Sequence, residues 1–331
     1  VAKRIRTDFD RPKGRHDFPR ARPGAEVQSF GVRRANQGMR LDRFLASRFP
    51  GYSRSFLQEL IREGRVLVKG KPCRPSTPVA PGDEIELRLP EGAPREPEDL
   101  GLEVVYRDDC VLAINKRPGL VVHPARGHKT GTILQGLFHL FREEIARDPT
   151  FHVGPVHRLD AGTSGLLLCA WGEETHKFLQ SQFEHRSVEK TYLAICSGEP
   201  RFDELEVDAP LGTDPADPER VAVGGLRARP ALTRLKVLAR GGGCALVRAE
   251  PHTGRTHQIR VHLAHVGHPL VGDELYGGPT RDARGATLLE RPALHSESLT
   301  FVHPRTGEPM TLRAPLWRDM RELLERIGLR T

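Results

Sequence analysis

The sequence predicts a chain of the α/β (α+β) class in two parts, a small αβ unit followed by a larger body, and three observations carry that expectation. Residues 38–90 hold two apolar runs at helical spacing followed by short alternating runs. Pro90 to Asp99 is rich in Pro and Glu, the composition of a linker. From about Leu100 the chain alternates short apolar runs, Gly/Pro turns and a few helical patterns without a long repeat. The expected organisation is a tail over 1–37, a small domain over 38–90, a linker over 91–100 and a large domain over 101–331.

Residues 1–37 carry Arg, Pro and Gly without hydrophobic period, which reads as a disordered basic tail. Leu41, Phe44 and Leu45 share a helical face. Ser53 is suited to cap a second helix, in which Phe56, Leu57, Leu60 and Ile61 align before Gly64 ends it. Val66–Val68 reads as a strand turning at Lys69-Gly70-Lys71, and Glu84 to Leu89 as another. In the body, strands are expected at 111–115, 165–170, 190–196 and 245–250. Helices are expected at 132–142, 174–183, 256–265 and 317–327, the third capped by Thr256.

Charge separates the two parts. Residues 1–37 hold ten Lys/Arg against four Asp/Glu and residues 38–90 ten against six, so of the net +8 the remainder contributes −2. A basic N-terminal segment of 90 residues attached to a near-neutral body points to a polyanionic partner. The five cysteines are scattered and form no CxxC pair, which argues against a disulfide framework or zinc site. No long apolar run and no apolar stretch at the start are present, so no membrane span or secretory signal is expected, and the cytoplasm is the expected compartment.

Four segments of the body carry chemistry-bearing residues. In Pro155-Val-His-Arg-Leu-Asp-Ala-Gly-Thr-Ser-Gly165, Asp160 sits beside Arg158 on a glycine-permitted turn leading into an apolar strand. Alone, that aspartate equally fits a turn-stabilising role. A Ser-His-Asp triad of Ser164, His157 and Asp160 is set aside, because all three lie within eight residues and no Gly-x-Ser-x-Gly elbow exists. In Glu189 to Gly198, Lys190, Tyr192 and Ala194 share a strand face. In His252 to Pro269, Arg255, His257 and Gln258 gather at an expected helix N-terminus with Ile259, Leu263 and Val266 facing the core. The spacing of His262, His265 and His268 does not hold three metal ligands on one helical face, so no metal is expected. The fourth segment, Cys110 to Pro124, is a buried strand followed by Lys-Arg-Pro-Gly.

Two resemblances follow from these motifs. Arg-Leu-Asp-Arg-Phe-Leu, Ser-Arg-Ser, Leu-Ile-Arg-Glu-Gly-Arg-Val-x-Val and Gly-Asp-Glu-Ile resemble, over about fifty residues, the S4 RNA-binding module. His-Arg-Leu-Asp with Thr-Ser-Gly, Lys-x-Tyr-x-Ala, Thr-Gly-Arg-Thr-His-Gln-Ile-Arg-Val-His and Gly-His-Pro-Leu-Val-Gly-Asp, in that order, resemble the RluA-type pseudouridine synthases from about Leu102 to Pro315. Arg291-Pro-Ala-Leu-His295 and His303-Pro-Arg-Thr-Gly-Glu308 extend the match. Members of this family convert uridine in RNA to pseudouridine without a cofactor. The resemblance implies a mixed, largely antiparallel central sheet flanked by helices and loops, plus the S4-like domain.

It further implies roles. Asp160 would be the catalytic carboxylate, Arg260 its ion-pair partner, and Tyr192 the ring stacked on the detached uracil. Arg158 would replace the flipped base in the RNA helix. His157, Leu159, Thr163, Lys190, Arg255, His257 and Gln258 would line the substrate site. Arg40, Arg43, Arg54, Arg62, Arg65, Lys69 and Lys71 would anchor RNA. The partner implied is structured RNA, ribosomal RNA of the large subunit or a pre-ribosomal particle ahead of tRNA, bound by a monomer. The chain departs from the family at Ala161-Gly162, where relatives often carry a charged pair, and at Trp171, where a Lys is usual. A non-catalytic assembly factor would have lost Asp160, Tyr192 or Arg260, and a glycoside hydrolase would need a second carboxylate.

Overall fold

The computed structural model describes residues 27–49, 52, 54–89, 97–123, 130–147 and 151–329. The chain separates into two compact units, Val1–Ala93 and Pro94–Thr331. Ser53 and residues 91–96 lie outside the described residues, as does the tail as far as residue 26.

The first unit runs β1 (Val27–Gly31), α1 (Leu41–Arg48), α2 (Arg54–Arg62), β2 (Val66–Val68), β3 (Lys71–Pro72) and β4 (Glu84–Arg88). Its sheet has the order β1-β4-β2-β3. β1 corrects the expectation of a disordered tail through residue 37: Val27–Gly31 pairs antiparallel with Glu84–Arg88, covering an edge of β4. A strand with only Val27 and Phe30 as large apolar residues gives no recognisable period, and its order comes from the ladder rather than from its own side chains. Leu41, Leu45, Leu57, Leu60, Ile61, Val66, Ile85 and Leu87 form the core, the helical stripes and alternating strand residues read from the sequence.

The second unit contains β5 (Glu103–Arg107), β6 (Val111–Lys116), α3 (Ile133–Leu140), α4 (Arg142–Arg147), β7 (Val153–Pro155), β8 (Ser164–Trp171), α5 (Glu173–Glu184) and β9 (Glu189–Ser197). It continues with β10 (Glu204–Asp208), β11 (Leu211–Thr213), β12 (Val221–Val223), β13 (Leu226–Arg229), β14 (Leu232–Gly241) and β15 (Cys244–Pro251). It ends with α6 (Gln258–His265), β16 (Leu294–Val302), β17 (Pro309–Arg313) and α7 (Arg318–Arg326). Glu98 already belongs to this unit, since its carboxylate accepts the Gly131 N–H and its own N–H reaches Gln135 O.

The large sheet has the order β10-β14-β15-β9-β16-β8-β6-β5, with β17 on β16 and β7 on β8. Every pairing in it is antiparallel except β8 with β16, at His295↔Ser164 and Ser296↔Gly165. The short parallel seam joins two antiparallel halves. Gly165 makes it possible: at φ 107° its Cα lies so close to β16 that a Cβ would stand 2.3 Å from Ser296 O.

Both faces of the sheet are covered, which is why its central strands read as unbroken apolar runs. Leu112, Ile114, Leu167 and Cys169 pack with Leu134 and Leu137 of α3. On the alternate positions Val111, Ala113, Leu166 and Leu168 pack with Leu179 of α5. Ala194, Ala245, Val247 and Ala249 meet Ile259 and Leu263 of α6, whereas Leu193, Ile195 and Leu246 meet Met320 and Leu323 of α7. Tyr192 packs against both the α3 and the α6 clusters, at the centre of that face.

Two helix starts differ in kind. α3 begins with a capping box between Thr132 and Gln135 and ends at Phe141, where α4 takes over. α6 begins two residues later than expected: Thr256 caps nothing, and His257 holds the N-cap position in left-handed geometry.

Candidate functional site

The loop before β8, the middle of β9, the segment from Pro251 to α6, and β13 surround a cavity of about 540 Å³, a size suited to a small organic ligand. Of the expected residues His157, Arg158, Leu159, Asp160, Thr163, Lys190, Tyr192, Arg255, His257, Gln258 and Arg260 all line it. Segments as far apart in sequence as Asp160 and Arg260 are thereby brought together.

Asp160 is 24% exposed, with Arg260 NH1 and His257 Nε2 each 3.9 Å from its Oδ2. The expected Arg260–Asp160 pair is therefore a long one. The close partner of Arg260 is Asp273, which takes its Nε and NH2 at 2.7 Å each in a buried bidentate pair. The guanidinium also lies 4.9 Å over the ring of Tyr276. Asp273 and Tyr276 hold Arg260 so that its remaining nitrogen points at Asp160. The sequence placed Asp273 within a recognised motif but gave it no role.

Two cations, the buried Lys116 and the half-buried Arg291, grip the turn after Asp160 from below. Lys116 Nζ donates to the carbonyls of Arg117, Leu120 and Ala161 at 3.1, 2.9 and 3.0 Å. Burial pushes its ammonium down to about 7, with Arg291 adding to the shift and Asp160 opposing it. Arg291 pairs with Asp319 of α7 through Nε and NH2, donates through NH1 to Gly162 O, Pro292 O and Leu294 O, and reaches Ser164 Oγ. Thr163 N–H closes the turn on Asp160 O. Lys116 and Arg291 also stood in recognised motifs; burial and partners, invisible in the sequence, disclose what they do.

Several expected substrate contacts are occupied from within. Gln258 is buried, accepts from Thr253 Oγ1 and the Arg255 N–H, and donates to Leu232 O and Thr233 Oγ1. Its amide is saturated, so it shapes the loop rather than holding phosphate. His157 Nε2 accepts the Leu168 N–H, its ring stacks on Phe183 at 4.6 Å, and burial pushes the imidazole down to about 3. It is a neutral strut. Leu159 is buried in the α3 cluster. Tyr192 is half-buried, and burial pushes its phenol up to about 12, so the hydroxyl stays protonated.

The rim of the cavity is basic. Arg158, Arg186 and Arg229 are exposed there beside half-buried Lys190 and Arg255. Burial and the neighbouring Arg186 lower Lys190; burial, Arg229 and Arg186 lower Arg255. Mutual repulsion of this kind fits a surface awaiting an anion. Arg186 and Arg229 escaped the sequence reading because they lie in a turn and an exposed strand without a motif.

In the first unit Asp42 is fully buried, and Arg40, Arg54 and Gln58 all donate to it. Burial alone would raise this carboxyl, but the donors hold it well below the usual range. Arg65 pairs with Glu63 and Lys69 with Asp83, and Arg62 donates to Gln58. Arg43 and Lys71 are exposed. Much of the basic charge counted from the sequence is thus neutralised locally.

Among the described residues one cluster has metal-like composition, Asp108, Cys110 and His303. His303 Nδ1 accepts the Thr306 N–H, which leaves Nε2 to carry the proton it shares with Asp108 at 2.8 Å. That imidazole offers no free lone pair to a cation. The histidines in and just after α6 are likewise dispersed: His262 bonds Thr233 Oγ1 and Ala209 O, and His268 bonds Ser197 O. All five cysteines are free thiols, and among the described residues no helix is long and apolar enough to cross a membrane.

Comparison with known proteins agrees with this geometry. Residues 110–265 match the family model described as RNA pseudouridylate synthase, and residues 39–85 that of the S4 domain. The chain is 39% identical to a ribosomal large subunit pseudouridine synthase D of Neisseria meningitidis, covering 88% of this chain and 79% of that protein. It is 38% identical to an uncharacterised RNA pseudouridine synthase of Bacillus subtilis, covering 87% and 94%. Among solved structures, human RNA pseudouridylate synthase domain containing 4 aligns with a TM-score of 0.54 and 26% identity, over 69% of this chain and 94% of that one. With such identity maintained over 87–88% of its length, this chain belongs to the RNA pseudouridylate synthase family.

Proposed function

We propose that the protein converts specific uridines of large-subunit ribosomal RNA to pseudouridine, with Asp160 as the catalytic carboxylate. One observation carries the reading: the Asp160 carboxylate, flanked by Arg260 and His257, stands in a cavity whose rim bears five cations beside one exposed carboxylate, Glu184. The rim is suited to phosphates on either side of a nucleotide and the interior to the nucleotide itself. The N1–C1′ bond breaks and a C5–C1′ bond forms, C5 losing a proton and N1 gaining one. The atoms balance within one nucleotide, so the reaction calls for no co-reactant. Asp160 acts at C1′, as nucleophile or by assisting glycal formation. Tyr192, its phenol kept neutral, lies against the uracil while the base turns over. Exposed Arg158 fills the gap left by the flipped base. Ribosomal RNA as target rests on the relatives named for the large subunit, and the S4 unit supplies a second RNA-binding surface. The enzyme acts as a monomer in the cytoplasm, on ribosomal RNA or its precursor particles.

Tritium release from RNA labelled at uridine C5 tests the proposal. Wild type should release tritium from large-subunit RNA with chelator present, and Asp160→Asn should slow release by on the order of 10⁴-fold. Release undiminished in Asp160→Asn would refute the mechanism, and release from tRNA alone would refute the target.

A further inference from the structure

The backbone of His257 stands at φ 55° and ψ 18°, a left-handed geometry that a residue with a Cβ adopts when its surroundings hold it there. Both ends of its ring are engaged. Nδ1 lies 2.7 Å from the Tyr276 hydroxyl, and Nε2 lies 3.9 Å from Asp160 Oδ2. The polarity of the first contact follows from the partners of Tyr276. Its hydroxyl oxygen accepts the Val221 N–H at 3.1 Å. Among the described residues the acceptor that remains for the hydroxyl proton is His257 Nδ1. The arrangement that leaves this buried hydroxyl proton with an acceptor has Tyr276 donating to Nδ1 and the ring hydrogen on Nε2, turned toward Asp160.

The charged groups facing this imidazole come from three places. Arg158 and Asp160 approach from the loop before β8, Arg260 from α6, and Asp273 from the segment that also carries Tyr276. Arg220 lies over the Tyr276 ring. Burial is the largest influence on His257 and lowers it, with Arg260 and Arg158 acting in the same sense against Asp160 and Asp273. The ring is thus neutral near pH 7 and still a donor.

We infer that Tyr276 is a positioning residue that locks His257 in the Nε2–H form, making His257 a second donor to the Asp160 carboxylate beside Arg260. The inference rests on the reading of Asp160 as catalytic. Its two flanking contacts are too long for hydrogen bonds in the free protein, and a closure of about 1 Å on RNA would form them. Without the tyrosine hydroxyl the ring is free to move its hydrogen to Nδ1, which would present a lone pair to the carboxylate.

Tyr276→Phe retains the ring beneath Arg260 and removes only the hydroxyl. Full-length Tyr276→Phe should lose roughly ten- to a hundredfold in kcat, with KM for RNA changed by less than about twofold. The acidic limb of its kcat profile should move to higher pH, because the carboxylate has lost a donor. In NMR of histidine-labelled free protein, His257 should carry its hydrogen on Nε2 in wild type and shift toward Nδ1 in the variant. His257→Gln, which places a donor near the ε position, should retain more activity than His257→Asn, which suits the left-handed backbone but ends short. A wild-type ring protonated on Nδ1, an unchanged pH profile, or a raised KM at constant kcat would each overturn the inference. The tautomer is read without RNA, so a failure of the Asp160 assignment, seen in Asp160→Asn, is distinguishable from a failure here.

Discussion

Replacing Gly165 by Ala should be costly for so small a change, and the cost can be worked from the seam it occupies. An added Cβ would lie 2.3 Å from Ser296 O, 2.7 Å from Ser296 N and 2.9 Å from Ser296 C. These are backbone atoms of β16, so β8 and β16 must part by about 1 Å to restore van der Waals separation. The residue would also have to hold φ 107°, a strain of about 1–3 kcal/mol for alanine. Separation weakens the two pairings of the seam, at about 1 kcal/mol each. Together these give a loss of about 3–5 kcal/mol, or roughly 6–20 °C in the melting temperature of a body this size. Asp160 stands five residues before Gly165, so a shift of this size should also reduce kcat by roughly a hundredfold. The assay is a thermal melt beside single-turnover tritium release, with Gly243→Ala as control. Gly243 has φ 71° and nothing within 4 Å of its Cβ position, so it reports backbone strain alone. If Gly165→Ala proved no less stable and no less active than Gly243→Ala, the reasoning about the seam would be wrong.

Three further outcomes are expected. Lys116→Met should remove the donor shared by three carbonyls and destabilise the second unit by about 2–3 kcal/mol in urea. The folded-state value of Lys116 lies near 7 against an ordinary 10.5, so between those values the unfolded chain holds this proton more tightly; wild-type stability should gain from this group as pH rises across that window, and the variant should lack the gain. In Asp42 the folded-state value is lowered, so its contribution is present above the ordinary carboxyl range and lost as pH falls through the lower value. Asp42→Asn should lose about 1–3 kcal/mol at neutral pH and lack the acid-dependent step, followed by hydrogen exchange in residues 41–62. Arg186→Ala with Arg229→Ala should lower the salt slope of RNA binding by about 2 while leaving the melting temperature within about 2 °C.

Much of the scaffold was legible because its determinants are local. Leu57, Leu60 and Ile61 form a helical stripe whatever surrounds them, and the runs at 111–116, 164–171 and 189–197 are apolar enough to declare central strands. What escaped is what depends on a neighbour. β1, β5 and the strands from β10 to β13 are short or polar and exist because a ladder partner pairs with them. The start of α6 was misread because Thr256 looked like a cap, whereas the chain passes through a left-handed His257 fixed by Tyr276, nineteen residues away. The same distinction runs through the site. The motifs located Asp160, Tyr192 and Arg260, but the preference of Arg260 for Asp273 and the saturation of Gln258 are properties of a packed arrangement. The count of basic residues overstated the charge available at Arg40, Arg54 and Lys69, since a buried carboxylate is invisible until the fold places it.

Lys116 and Arg291 hold the turn after Asp160 by its amide oxygens, those of Ala161 and Gly162, and by no side chain at those two positions. The two places are not equally open to change. A Cβ on Gly162 would meet Pro292 Cδ at 3.0 Å, whereas Ala161 is exposed. The residue directly after Asp160 is therefore a replaceable facing on a fixed mount. It can be exchanged for a longer or charged side chain that reads a different RNA contour, while every anchor beneath the carboxylate stays in use.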